Sequence, residues 1–189
     1  MKKLLERIKL CKLPPPQRRS LPYECYWEDS ILTQEQERIF SNQWLGLGRS
    51  DRLENPGEYE SFELCGQALV LIRNQDKELK LYANTCRHRG AKLLDGSGQC
   101  QAISCPFHGW TYSIDGNLKY AKTMEENPSF DFAEHSLIEY KLEELQGFLF
   151  GFLGNKPTDL SNQLGNFSEL HQPWSMNELV TTRRATFEV

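Results

Sequence analysis

The sequence has no apolar run long enough to cross a bilayer, which needs about 20 residues. Its first ten residues open like a secretory signal, but Glu6, Arg7 and Lys9 interrupt any apolar segment, so no leader is expected. It lacks a strong charge of either sign. The formal net charge is −4, and the basic pairs Lys2-Lys3, Arg18-Arg19 and Arg183-Arg184 are small and scattered. That excludes the dense basic footprint expected of a nucleic-acid binder. Internal repeats and low-complexity tracts are also missing. What remains is an ordinary globular composition, 39% apolar and 25% charged over 189 residues. A chain of this length can bury a core without disulfide staples. The expected protein is cytoplasmic, with neither membrane nor nucleic acid as partner. Thiols stay reduced in that compartment, so cysteines there point to metal binding or catalysis.

Histidine is scarce, with four in the chain, and cysteine is modest, with six. Two of each fall together. Cys86-Arg-His88 is followed, after sixteen residues, by Cys105-Pro-Phe-His108-Gly-Trp110. Cys11, Cys25, Cys65 and Cys100 have no histidine at ligand spacing and read as bystanders, and His135 and His171 read as surface or internally satisfied residues.

Along the chain, residues 1–43 form an arm. Leu4, Leu5 and Ile8 make one short apolar helical face, and Pro14-Pro15-Pro16 then favours an extended polyproline stretch. Tyr23, Tyr26 and Trp27 are expected to anchor the arm to the body. A helix should follow, with Thr33 as N-cap, Gln36 completing a capping box and Ile39 and Phe40 facing inward, stopping before Gly46. The period then changes to two. Strands are expected over 59–64, over 67–73 (whose Ala-Leu-Val-Leu-Ile run suits burial on both faces) and over 78–83. A turn at 96–98 leads to a short strand at 101–104, Asp115-Gly116 is a hairpin turn, and strands near 137–142 and 147–153 complete the sheets. The segment 154–189 is loop-rich, and its last residues, 181–189, have strand propensity. The fold class is thus mainly β, with small antiparallel sheets after an N-terminal arm and short helix.

The four chemistry-bearing residues fit two kinds of centre. A Cys2His2 set commonly closes a tetrahedral zinc site, but classical spacings pair Cys with Cys and His with His. Here each loop is mixed. A [2Fe–2S] cluster with unlike irons uses such a set, two cysteines on one iron and two histidines on the other. Neutral imidazoles in place of two thiolates make the oxidised centre less negative and raise its reduction potential.

Cys86-Arg-His88-Arg-Gly90 and Cys105-Pro-Phe-His108-Gly-Trp110 resemble the Rieske domain of ring-hydroxylating oxygenase α subunits, a family that includes monooxygenases of choline- and carnitine-like quaternary amines. The resemblance covers about residues 44–153. It implies a stack of small antiparallel sheets, with a [2Fe–2S] cluster at two loop tips held by Cys86, His88, Cys105 and His108. Rieske proteins of respiratory bc complexes add two cysteines that bridge the loops, where this chain has Ala91 and Phe107, and a serine hydroxyl where it has Trp110. Both differences place the chain on the lower-potential branch. The resemblance further implies a reductase or ferredoxin as electron donor. The acceptor it implies is a mononuclear Fe(II) in a catalytic domain, in that family usually of a neighbouring subunit, with a homotrimer as the full-length assembly. After His108 only His135 and His171 remain, and neither fits the family's Asp-x-x-His-x-x-x-x-His-like pattern for that iron. The expected organisation is therefore an arm (1–43), a Rieske domain (44–153) and a linker opening a catalytic domain not included (154–189). The alternative is a stand-alone Rieske ferredoxin.

Overall fold

The computed structural model describes residues 2–124, 126–183, 185 and 187. They form two compact units, Met1–Ser41 and Asn42–Val189.

The first unit is helical: α1 (Lys2–Lys9), α2 (Glu24–Trp27) and α3 (Asp29–Arg38). Arg7 at the end of α1 pairs with Glu24 at the start of α2, with 2.5 Å between Nη1 and Oε1. Several expectations need correction here. Pro14 to Gln17 is a hydrogen-bonded turn, with Gln17 N–H donating to Pro14 O at 3.1 Å, rather than an extended stretch. The reversal is held by Arg19 N–H donating to Leu10 O and by the Arg18 guanidinium on Leu13 O. Thr33 is no N-cap, because α3 starts four residues earlier. Its hydroxyl instead donates back to the Asp29 carbonyl at 2.9 Å, the bond a mid-helix threonine makes. Tyr23, at the N-cap of α2, and Tyr26 and Trp27 within it are 69, 73 and 76% exposed. Ile39 is also exposed rather than inward-facing.

The second unit is antiparallel throughout. Its strands are β1 (Trp44–Arg49), β2 (Glu58–Leu64), β3 (Gln67–Arg73), β4 (Leu79–Ala83), β5 (Ser97–Gln99), β6 (Ala102–Ser104), β7 (Thr111–Ser113), β8 (Leu118–Tyr120), β9 (Glu139–Leu145) and β10 (Phe148–Phe152). Seven of them make one sheet in the order β1-β10-β9-β4-β3-β2-β5, and β6-β7-β8 make a second. The apolar run of β3 explains the layering. Leu69 and Leu71 enter one core with Leu81 and Leu149, while Val70 and Ile72 enter another with Ile103, Tyr112, Ile114 and Leu118 of the small-sheet region. Alternate residues of one strand thus face two cores. Each fully buried aliphatic side chain contributes about 1.5–3 kcal/mol. The second core also holds Cys86, Cys105 and Trp110, so the packing that welds the two sheets together fixes the roots of both candidate ligand loops.

A third cluster joins Trp44, Phe150 and Phe152 to Leu160 of helix α4 (Leu160–Leu164). The Gln163 amide grips the Trp44 backbone at both ends, accepting from its N–H and donating to its carbonyl, each at 2.8 Å. Segment 154–178 thus contains more helix than expected, α4 and α5 (Phe167–His171) with short 3-10 turns after them. Residues 96–98, read as a turn, lie partly in β5, paired to β2. The expected terminal strand falls partly outside the described residues, and 181–183 are irregular.

Candidate metal centre

Both loops are hairpins closed by strand pairing. The first is shut by an isolated Thr85–Lys92 bridge, the second by the Ser104–Thr111 pair of β6 and β7. Below the first, Asn84 is fully buried. Its side chain takes the Leu94 N–H at 2.9 Å and donates to the Leu94 carbonyl at 2.7 Å, tying the far limb of the loop to the end of β4.

The hydrogen bonds inside the two loops match one for one. Cys86 N–H donates to Ala91 O and Cys105 N–H to Trp110 O, both at 2.8 Å. Gly90 N–H returns to Cys86 O at 2.9 Å, and Gly109 N–H to Cys105 O at 3.1 Å. Both glycines have left-handed φ, +72° and +71°, which a side chain would resist. Their amides therefore close the turns on the cysteine carbonyls. Because the turns are congruent, the one-residue difference in spacing has a consequence. His88 occupies the third position of its turn and His108 the fourth of its own, so the imidazoles approach from different places.

They meet all the same. The His88 and His108 rings lie 4.8 Å apart, centre to centre, at 74°. With Cys86 and Cys105 they line a cavity of 360 Å³ whose other walls are Arg89, Gly90, Ala91 and Phe107. Both thiols are free and buried, 3 and 4% exposed. His108 is exposed, and His88 is half-buried. The Nδ1 of His88 is enclosed yet has no hydrogen-bond partner. A buried polar atom left bare is costly unless something else fills its lone pair, as a metal does. Burial first, then the nearby charges of His108 and Arg89, hold His88 below the usual imidazole pKa, which favours the neutral, ligating form.

Among the described residues no three His, Cys, Asp or Glu side chains converge as they would on one ion. The four donors instead line one cavity, with the two imidazoles adjacent. A single tetrahedral zinc needs convergence, whereas in a two-iron cluster bridged by sulfides each iron takes two protein ligands. The donor set fits the cluster.

A tyrosine of β7 sits against this set. The Tyr112 hydroxyl lies 3.4 Å from Cys86 Sγ and accepts the Arg87 N–H at 3.0 Å. Burial, then the neighbouring Cys86, push the Tyr112 phenol up, so it stays protonated. His171 is internally satisfied, its Nδ1 lying 2.7 Å from the Phe167 carbonyl. No described helix is long and apolar enough to cross a membrane.

Comparison with known proteins agrees with this geometry. Residues 43–133 match the Rieske [2Fe–2S] domain family. The carnitine monooxygenase oxygenase subunit of Escherichia coli strain K12 is 34% identical over 151 residues, which cover 79% of this chain and 40% of that protein. The benzene 1,2-dioxygenase subunit alpha of Pseudomonas putida is 30% identical over 74% of this chain and 32% of its own length. Among solved structures, a quaternary ammonium Rieske monooxygenase superposes with a TM-score of 0.75 at 35% identity, covering 80% of this chain and 42% of that one. The chain thus spans about 40% of the length of the first of these relatives. The matching family and these relatives agree on the centre implied, a [2Fe–2S] cluster, and on a mainly β scaffold. Residues 43–133 are a Rieske [2Fe–2S] domain, and the chain belongs with the N-terminal part of Rieske oxygenase α subunits.

Proposed function

We propose that this chain relays single electrons through a Rieske cluster held by Cys86 and Cys105 on one iron and His88 and His108 on the other. When bound, the cluster takes up and releases one electron at a time. One observation carries the assignment: two loops with the same internal hydrogen bonds place two buried thiols and two facing imidazoles around one cavity. The chain's own residues do the rest. Buried Cys86 and Cys105 keep water from the sulfur end, and exposed His108 is the port through which the electron leaves. Beside it a groove lined by Phe107, Tyr120, Lys122 and Met124 is open to a partner. Arg87 and Arg89 are exposed and carry positive charge toward an incoming acidic donor, a reductase or ferredoxin.

The recipient in this reading is the mononuclear iron of an oxygenase catalytic domain, in a neighbouring subunit of a homotrimer. The relatives include both the quaternary-amine class and the aromatic-ring class, with the carnitine enzyme 34% identical and the benzene enzyme 30%. The chain divides into an arm (1–43), the Rieske domain (44–153) and a segment leading toward the catalytic part (154–189). The 189-residue chain alone is expected to yield no oxygenated product when given a donor, O₂ and carnitine.

Reconstitution with ferrous iron and sulfide tests the ligand set. The expected result is two irons and two sulfides per chain, with a rhombic EPR signal on reduction that is absent in Cys86→Ser and in His108→Ala. A colourless protein that instead binds one zinc would refute the reading.

A further inference from the structure

Metal-bound histidines are normally oriented by a hydrogen bond from the ring nitrogen not on the metal. Within this chain, and among its described residues, His88 has no such bond. What it has is Trp110. The indole is 3% exposed and lies parallel to the His88 ring, 4.9 Å away and inclined by 10°. Behind the indole stand two rings from one short segment. Phe130 meets it edge-on at 5.6 Å and His135 at 5.8 Å, and those two stack on each other at 4.3 Å. His135 is itself held, its Nδ1 lying 2.8 Å from the Asp131 carbonyl. His108 has no equivalent wall, since its ring neighbour Phe107 is tilted and 73% exposed.

We infer that Trp110, backed by Phe130 and His135, is the positioning residue of the centre: its face fixes the plane of the His88 imidazole at the cavity wall. The inference rests on the cluster reading above. Trp110 is carried by the second loop, two residues beyond His108, yet it orients the histidine of the first. The stack therefore couples the loops across the site, a role that the two cysteines that bridge them in bc-type Rieske proteins fill differently. His135, without any ligand role, belongs to the site through this contact.

The test uses the 189-residue chain in both states. In the metal-free protein, the His88 ring protons should be displaced upfield by the indole face. Trp110→Leu should abolish that displacement while the amide spectrum stays folded, and Trp110→Phe should retain most of it. After loading with iron and sulfide, Trp110→Leu should hold its cluster about tenfold less well, the size typical of lost outer-shell support. Its EPR g-values should also shift, with Trp110→Phe restoring both. Should Trp110→Leu fail to fold, His135→Ala carries the test, with the same changes in smaller measure, and His135→Phe should behave as wild type. Wild-type g-values and retention in Trp110→Leu, or in His135→Ala where that carries the test, would overturn the inference and leave the cluster reading standing. A wild-type chain that takes up no iron and sulfide removes both.

Discussion

The hydroxyl of Tyr112 lies 3.4 Å from the sulfur of Cys86, and the amide that fixes it belongs to the adjacent Arg87. A phenol has one hydrogen to donate. Since the Arg87 N–H already occupies an acceptor position at 3.0 Å, the hydroxyl hydrogen is free to point at the thiol. A hydrogen bond to a cluster sulfur favours the more negative, reduced form and raises the potential. Tyr112→Phe should therefore load with iron and sulfide as wild type does but with a lower midpoint potential. A net hydrogen bond of about 1 kcal/mol corresponds to roughly 40 mV for one electron. An EPR-monitored redox titration of both proteins decides it, and equal midpoints would mean that the contact does not reach the cluster.

Much of this site was legible because its chemistry is local. Cys86, His88, Cys105 and His108 stand out by residue type and spacing, and the apolar run of β3 announced burial on both faces. What escaped was non-local. The roles of Tyr112 and Asn84 depend on contacts with residues 25 and 10 positions away, and no pattern in the intervening sequence encodes them. Strand β1 carries two glycines, which weaken strand propensity, and it exists because β10 lies alongside it. Strand β5, Ser97-Gly-Gln99, is exposed along its length and has no apolar residue to mark it. Thr33 misled for a different reason: the Thr-x-x-Gln pattern that marks a helix start also fits inside a helix.

The junction that delivers the second ligand loop depends on Gly57. Its backbone sits at φ +83°, and a Cβ there would lie 2.1 Å from the Cys100 carbonyl oxygen. Cys100 in turn donates its N–H to Gly57 O at 3.0 Å, just before the chain enters β6. Gly57→Ala must both strain a left-handed residue and push β5 off β2. A cost of about 1–3 kcal/mol follows, on the order of 5 °C in Tm for a unit of this size. Gly46→Ala is the control, since it has ordinary φ and open space around its Cβ, and it should melt as wild type does. Equal melting of the two variants in a thermal scan would contradict the close approach.

The exposed guanidiniums of Arg87 and Arg89 flank His88 while the chain as a whole carries −4. Local positive charge on a net acidic surface acts mainly on the rate of encounter. The double variant Arg87→Glu/Arg89→Glu should slow reduction of the loaded chain by an acidic ferredoxin about tenfold or more at low ionic strength. The gap should close as salt rises, because the charges are solvent-screened. Stopped-flow reduction across a salt series measures this. A rate difference that persists unchanged at high salt would point instead to a damaged loop.

The segment that follows the sheets is strapped to them by Asp51 and Arg49. The Asp51 carboxylate accepts the backbone N–H of Thr181 at 2.5 Å and its hydroxyl at 3.2 Å, while Arg49 donates to the carbonyls of Met176 and Leu179 and lies over the Phe148 ring. Partial burial works to raise the Asp51 pKa, but the Thr181 amide and hydroxyl, with Arg49, outweigh it and hold the carboxyl below its ordinary range. A depressed carboxylate contributes stability that is present above its unfolded value, near 3.9, and is lost as pH falls through the lower folded value. The strap should therefore hold at neutral pH and release below about pH 4. Asp51→Asn should mimic acid at pH 7 by removing the charge from the bonds Thr181 makes. For a loss of about 1–2 kcal/mol, amide exchange over residues 176–181 should quicken roughly 5- to 30-fold while the strand amides of β3 stay protected. Exchange read by NMR in the two proteins separates a local strap from a global contribution. Uniform acceleration across both regions would show that Asp51 supports the whole unit instead.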